Sequence, residues 1–164
     1  MIQSMQQQKI IIYNTSKYTS VDIIEKNKFL FYGDTIFKQD AVFKNFHLKP
    51  SRIELQANKE VFSLENCVVN NNSIFYNGTF VYVADSNSKF LPSVQKIPVD
   101  ILLLTKKSPS LTQLARNFSP AVVVCNGTNS LWKTAKYRQE AEALHLRFHS
   151  TATDGAYVYN VPTK

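Results

Sequence analysis

"VDILLLTKKSPSLTQLARNFSPAVVVCNGTNS", Val99–Ser130, decides how this chain folds. It holds two mainly apolar runs, residues 99–105 and 121–126. A run that is apolar throughout, rather than alternating, is the pattern of a strand covered on both faces, as in a parallel sheet. Between the runs, Leu111, Leu114, Ala115 and Phe118 fall at i, i+3, i+4 and i+7, which predicts a helix over 108–118. Ser108 is placed to cap it and Pro109 to occupy its first turn. The second run is followed by "NSLWKTAKYRQEAEAL" (129–144), a longer helix capped by Asn129 or Ser130. "HLRFHS" (145–150) alternates and reads as a strand, "TDG" as a turn, and "GAYVYNV" (155–161) as a last strand. Strand, helix, strand, helix, strand, strand is the order expected of βαβ units in a largely parallel sheet.

Upstream the pattern changes to strands. "KIIIYNT" (9–15), "SVDIIEK" (20–26) and "KFLFYGD" (28–34) are joined by tight turns and predict a meander. An apolar run over 41–51 ends at Pro50, and "RIELQA" (52–57) and "EVFSLENCVV" (60–69) read as further strands. "IFYNGTFVYVAD" (74–85) predicts two strands around Asn77–Gly78, a favoured hairpin dipeptide. The expectation is one mixed α/β domain over 9–164, mostly β over 9–97 and β-α-β-α-β-β over 98–161, with residues 1–8 as a disordered edge.

Composition fits a globular chain: 44% hydrophobic and 19% charged residues, with eleven Phe, eight Tyr and only four Gly. The formal net charge is +7, with a pI near 9.4, which favours polyanions or a membrane surface over cationic partners. No stretch approaches the roughly 20 apolar residues of a membrane-spanning helix, so the chain by itself is expected to be soluble. Its polar start carries no signal-peptide pattern and suggests a fragment of a longer protein. Cys67 and Cys125 match no zinc or redox spacing; Cys125, after "AVVV", is expected to be a buried thiol, and a disulfide between the two stays open.

No constellation for catalysis emerges. The histidines are His47, His145 and His149, and on a strand the last two would stand about 13 Å apart, too far for one ion. Asp34, Asp85, Asp100 and Asp154 are dispersed at strand ends and turns, and no phosphate-binding glycine loop, nucleophile elbow or dinucleotide fingerprint is present. Loops that follow buried strands are where α/β proteins keep their chemistry, yet this chain offers Lys106 and Lys107 there. A lysine ammonium has no lone pair to give a metal, but it can meet a phosphate. "CNGTNSLWK" (125–133) adds a strand end, a polar turn and a helix start, with Lys133, Lys136 and Arg138 on the helix that follows.

The second half of the chain resembles the C-terminal region of the ComEC family of DNA-uptake (competence) membrane proteins. The likeness is carried by "VDILLLTKKS", "SPAVVVCNGTNS" and "LHLRFHSTATDGAYVY", in that order. In metal-bearing members the counterpart of the first is a strand followed by His-His-Gly-Ser, and that of the last holds a Thr-x-x-Gly-Ala turn. "IIIYNTSKYTSVDIIEKNKFLFYGD" resembles the family's opening hairpin more loosely, with Asn14–Ser20 in place of a glycine-rich turn and Asp34 at the acidic strand end. The resemblance implies a metallo-β-lactamase-like fold in a degenerate form. The family's His-x-His-x-Asp-His motif has no counterpart, and its His-His pair is Lys106–Lys107 here.

The resemblance and its missing ligands together imply a non-catalytic domain with no metal and no cofactor, attached to the membrane-embedded remainder of the same polypeptide in a bacterial inner membrane. DNA is the partner to expect, bound without sequence preference through phosphates, and no small-molecule substrate is predicted. The residues expected to meet phosphate are Lys106, Lys107, Ser108, Asn126, Asn129, Lys133, Lys136 and Arg138. Two other readings stand beside this one. One is an interaction or structural domain without DNA contact, with the aromatic strands "IFYNGTFVYV" as its surface. The other is a metal-dependent phosphodiesterase using Asp34, His47, His149 and Asp154.

Overall fold

The computed structural model of the chain describes residues 6–34 and 48–162. The three opening strands form the expected meander: β1 (Gln8–Ile12), β2 (Ser20–Glu25) and β3 (Lys28–Gly33) pair antiparallel in chain order. β4 (Lys59–Glu60) adds in parallel to β3, and the last strand of the chain, β11 (Tyr157–Asn160), adds antiparallel to β1. The result is a five-stranded sheet in the order β11-β1-β2-β3-β4. β1 starts at Gln8, and Gln7 is already buried, its side-chain amide donating to the carbonyls of Lys26 and Leu55. Gln7 and Gln8, inside the stretch expected to be an edge, thus take part in the fold.

The second sheet has six strands: β5 (Cys67–Asn70), β6 (Ser73–Tyr76), β7 (Thr79–Ala84), β8 (Ile97–Leu104), β9 (Phe118–Cys125) and β10 (Phe148–Ser150), in the order β10-β9-β8-β7-β6-β5. The β6–β7 hairpin turns at Asn77 and Gly78, with φ of 46° and 83°, the left-handed conformations that this dipeptide tolerates. From β7 to β10 all pairings are parallel.

The apolar run of β8 explains the layering. Ile101 and Leu103 point into a core shared with Ile10, Ile12, Val21 and Ile23 of the first sheet, while Leu102 and Leu104 point the other way, onto Leu111, Leu114, Tyr137 and Ala141. The two sheets thus pack face to face. Helices α2 (Leu111–Leu114) and α3 (Leu131–Ala143) cover the outer face of the second, and α1 (Lys49–Glu54) lies on the outer face of the first. A one-turn helix, α4 (Thr151–Asp154), links β10 to β11.

Several expectations change. "RIELQA" is not a strand: Arg52–Glu54 belong to α1, which carries Pro50 in its first turn. The strand expected over 60–69 is two short ones, β4 and β5, with a loop between them. The helix over 108–118 shrinks to α2, and Phe118 instead opens β9, where its ring stacks on Tyr82 at 4.6 Å. The strand over 145–150 shrinks to β10 because His145 ends α3: at φ 57° its N–H donates to Glu142 O, and Leu146 N donates to Ala141 O. The turn at 153–155 is α4 and Gly155. Most of the run over 41–51 lies outside the described residues.

α1 buries none of its own side chains; it is held by the buried Leu48 and Ala57 that flank it and by charge. Asp22, fully buried on β2, accepts from Arg52 Nε (2.8 Å) and Nη2 (2.9 Å) and from the Tyr13 hydroxyl (2.7 Å). The Arg52 guanidinium also lies 3.9 Å from the centre of the Phe29 ring. Burial, followed by the charge of Asp22, pushes the Tyr13 phenol far above its ordinary range. Removing the cation would leave a buried carboxylate short of donors. Arg52→Met is expected to lower unfolding free energy by about 3 kcal/mol, and adding Asp22→Leu to restore part of it, as read from urea unfolding.

Candidate functional site

Because β7, β8, β9 and β10 run parallel, their carboxyl ends meet at one edge of the second sheet. The ends of β7, β8 and β9 are each closed by the loop that follows the neighbouring strand. Ala84 O, at the end of β7, accepts from Thr105 Oγ1 and Ser108 Oγ (both 2.7 Å). Leu104 O, at the end of β8, accepts from Asn126 N (3.2 Å) and Asn129 Nδ2 (2.9 Å). Cys125 O, at the end of β9, accepts from Thr151 Oγ1 (3.5 Å). Thr105, Ser108, Asn126, Asn129 and Thr151 are all buried.

This defines what each candidate residue does. Ser108 is not a helix cap; its Oγ also accepts from Thr105 N (2.8 Å), and Ser110 caps α2 by accepting from Gln113 N (3.2 Å). Ser130, not Asn129, caps α3. Asn126 donates to Thr19 Oγ1 (3.1 Å), and its Oδ1 accepts from Thr128 N (3.2 Å), which folds the "NGT" turn. The donors of Ser108, Asn126 and Asn129 are thus engaged within the protein. Asn129 Oδ1, buried without a partner, is an acceptor and has nothing to offer an anion.

Lys133 is tied inward as well. Its Nζ donates to Lys106 O (2.7 Å) and Ser108 O (3.2 Å), and the Tyr137 hydroxyl donates to Ser108 O (3.0 Å) and Pro109 O (3.2 Å). Burial lowers the Lys133 ammonium below its ordinary value, Cys125 opposing and Lys136 adding to the effect. These bonds hold the lysine loop against α3, so that Lys106 and Lys107 stand exposed on a braced turn. Lys136 is exposed one helical turn on from the only tryptophan, Trp132, whose ring lies 5.8 Å from the Lys136 ammonium. Trp132, 74% exposed, shares a small groove with Ser108, Lys133 and Lys136. Sequence reading passed over it; the signal was an indole at a helix's second position, outside any apolar stripe. Arg138 faces elsewhere, donating to Thr153 Oγ1 (3.3 Å) and lying over Phe148.

The carboxylates have local partners. Asp34 accepts from Thr19 N (3.0 Å), Asp85 from Asn72 Nδ2 and Asn87 N (both 2.9 Å), and Asp100 from Phe80 N (2.8 Å). Asp154 accepts from Ser150 N (3.1 Å), which lowers its pKa, and His149 Nε2 meets Gly155 O (2.8 Å). Among the described residues no three His, Cys, Asp or Glu side chains gather where one ion could sit. His47 lies outside the described residues. Cys67 and Cys125 are both free thiols, and burial pushes both upward, Cys67 to about 11.

A family model for the ComEC C-terminal domain matches residues 10–161. The chain belongs to this family. That range covers all four described helices and both sheets except the first two residues of β1, so the ComEC C-terminal domain is essentially the whole of the fold above. ComEC membership makes this a domain of a membrane-associated competence protein of DNA uptake, and among the described residues no helix is long and apolar enough to cross a membrane. Comparison with curated proteins and with solved structures gives no match.

The edge also depends on how closely the β9–α3 loop meets the β1–β2 loop. A Cβ on Gly127 would lie 2.5 Å from Asn14 Oδ1 and 2.9 Å from the backbone oxygen of Thr15. Gly127→Ala is expected to cost about 1–3 kcal/mol as the two loops are forced apart, measured as a fall in denaturation midpoint.

Proposed function

We propose that this ComEC C-terminal domain is a degenerate metallo-β-lactamase-like module that does not cleave DNA but holds it by its phosphates. On this reading it works beside the membrane-embedded remainder of its own polypeptide in a bacterial inner membrane. The single observation that carries the reading is the lysine loop: Lys106 and Lys107 exposed together on a turn braced by Lys133 and Tyr137, at the edge where parallel strands end. Ligands of open α/β sheets meet the protein at that edge. The order of layers, helix, sheet, sheet, helix, supports the metallo-β-lactamase-like assignment.

A phosphate contact needs only an accessible cation, and lysine supplies a point charge without sequence preference. Lys136 and the exposed face of Trp132 extend the surface along α3. Of the eight residues expected from sequence, Lys106, Lys107 and Lys136 are the proposed contacts. Ser108, Asn126, Asn129 and Lys133 shape the loops that present them, and Arg138 supports α3 from its other side. The non-catalytic part of the reading is supported by the chemistry of the edge, where hydroxyls and amides close strand ends.

The lone tryptophan gives a built-in probe. Titration with DNA is expected to quench Trp132 emission at low salt, with log affinity falling linearly against log salt concentration. Lys106→Ala/Lys107→Ala should lower the slope by about 2, since each lost phosphate contact on duplex DNA removes about 0.9. Unchanged affinity and slope in the double variant, or no binding even at low salt, would remove the DNA contact. Purified protein incubated with manganese or zinc and labelled DNA is expected to leave the DNA intact, and turnover would end the non-catalytic reading.

A further inference from the structure

The segment "KFLPSVQKI", Lys89–Ile97, connects β7 to β8 and is exposed along its whole length. Four of its side chains are large and apolar: Phe90 and Ile97 are about half exposed, Leu91 is 88% exposed and Val94 is at 103%. Single apolar side chains on a surface are ordinary; several in one short loop are not.

The loop is held in this position. Asn117 Nδ2 donates to Leu91 O (2.7 Å), Ile97 N donates to Asn117 O (2.8 Å), and Ser93 Oγ donates to Gln95 O (2.8 Å). The ring of Phe90 packs edge-on against Tyr82 (6.3 Å) and Phe118 (6.0 Å). Phe90 therefore roots the loop while Leu91 and Val94 are left outward.

Charge selects the surface that would cover it. Lys89 and Lys96 flank the apolar residues, Arg116 lines a small groove with Lys89 and Phe90, and no acidic residue occurs between Ser86 and Val99. A second copy of the chain would bring these cations against one another, which is repulsive. The loop also presents main-chain groups outside any sheet, which headgroups and water can satisfy without matching a shape. Apolar side chains rimmed by lysines suit the headgroup region of an anionic bilayer, where burial of the former and attraction of the latter add.

We propose that Lys89–Ile97 is a lipid-surface anchor that seats Leu91 and Val94 among the headgroups of an anionic membrane. Ile97 opens β8 and Asn117 precedes β9, so the anchor lies at the amino ends of these strands, opposite the lysine loop. β8 has eight residues, which separates the two ends by about 26 Å. Seated this way, the domain would turn Lys106 and Lys107 away from the lipid. The anchor does not depend on the DNA reading.

Co-sedimentation with vesicles tests it, comparing phosphatidylcholine alone with phosphatidylcholine plus phosphatidylglycerol. The expected result is binding to the anionic vesicles only, reduced at least about tenfold in Leu91→Asp/Val94→Asp, whose changes fall on exposed positions and should leave the denaturation midpoint unmoved. Lys89→Gln/Lys96→Gln should weaken binding and its dependence on phosphatidylglycerol, whereas Lys106→Ala/Lys107→Ala should bind as the parent does. No binding to either vesicle, undiminished binding by Leu91→Asp/Val94→Asp, or loss only in the Lys106→Ala/Lys107→Ala protein would overturn the proposal. So would a stable dimer, dispersed by Leu91→Asp/Val94→Asp, in a protein that ignores vesicles.

Discussion

The structure turns on a relay of hydrogen bonds at one sheet edge. A parallel strand that stops leaves its last carbonyl without a ladder partner, and a buried carbonyl without a donor is costly. Here each stop is satisfied from the next strand along: Thr105 and Ser108 close β7, Asn126 and Asn129 close β8, and Thr151 closes β9. Because each donor sits in the loop that its own strand has just delivered, the four ends fix one another. The loops are therefore parts of the sheet's edge, braced as firmly as the strands beneath them.

The relay also sorts side chains by direction. Short polar residues, whose hydroxyls and amides reach a neighbouring carbonyl, turn inward and are buried. Lys106 and Lys107 have no carbonyl to close at their place in the loop, and they turn outward. Lys133 lies between these cases: its long stem lets one ammonium bind two carbonyls of the loop, at some loss of hydration. What sequence presents as a single cluster of phosphate-binding candidates is divided by the structure into a frame and a displayed face.

How far this could be read beforehand depends on the range of each interaction. The second halves of β8 and β9 were legible because both faces are covered, so Ile101–Leu104 and Val122–Cys125 are apolar whatever surrounds them. The Asn77–Gly78 hairpin was legible because its backbone conformation is a local demand. α1 was not: Ile53 and Leu55 alternate with polar residues as in a strand, and the helix is docked by flanking residues that pack on the first sheet and by the pairing of Arg52 with Asp22, thirty residues upstream. Ser108 and Ser110 both flank Pro109 and are equal as caps by local rules; Ala84 O, made available by β7, draws Ser108 away. The lysine loop itself was visible in the residues. Its bracing was not, since the braces come from α3, β7 and the β9–α3 loop. Trp132 was missed for the same reason, because exposure is a property of the packed helix.

The contrast between histidine and lysine at one loop position then has a physical meaning. A histidine ligand works by converging with others on one ion, so its value depends on neighbours that also point inward. A lysine needs no convergence; it acts on a polyanion from any exposed place, and two in succession act together. At this edge the inward groups of the described residues close strand ends, and two outward cations leave those hydrogen bonds in place. An outward pair of cations is the arrangement the frame can carry without strain. The proposed shift from cleaving phosphates to holding them would then leave the scaffold unchanged.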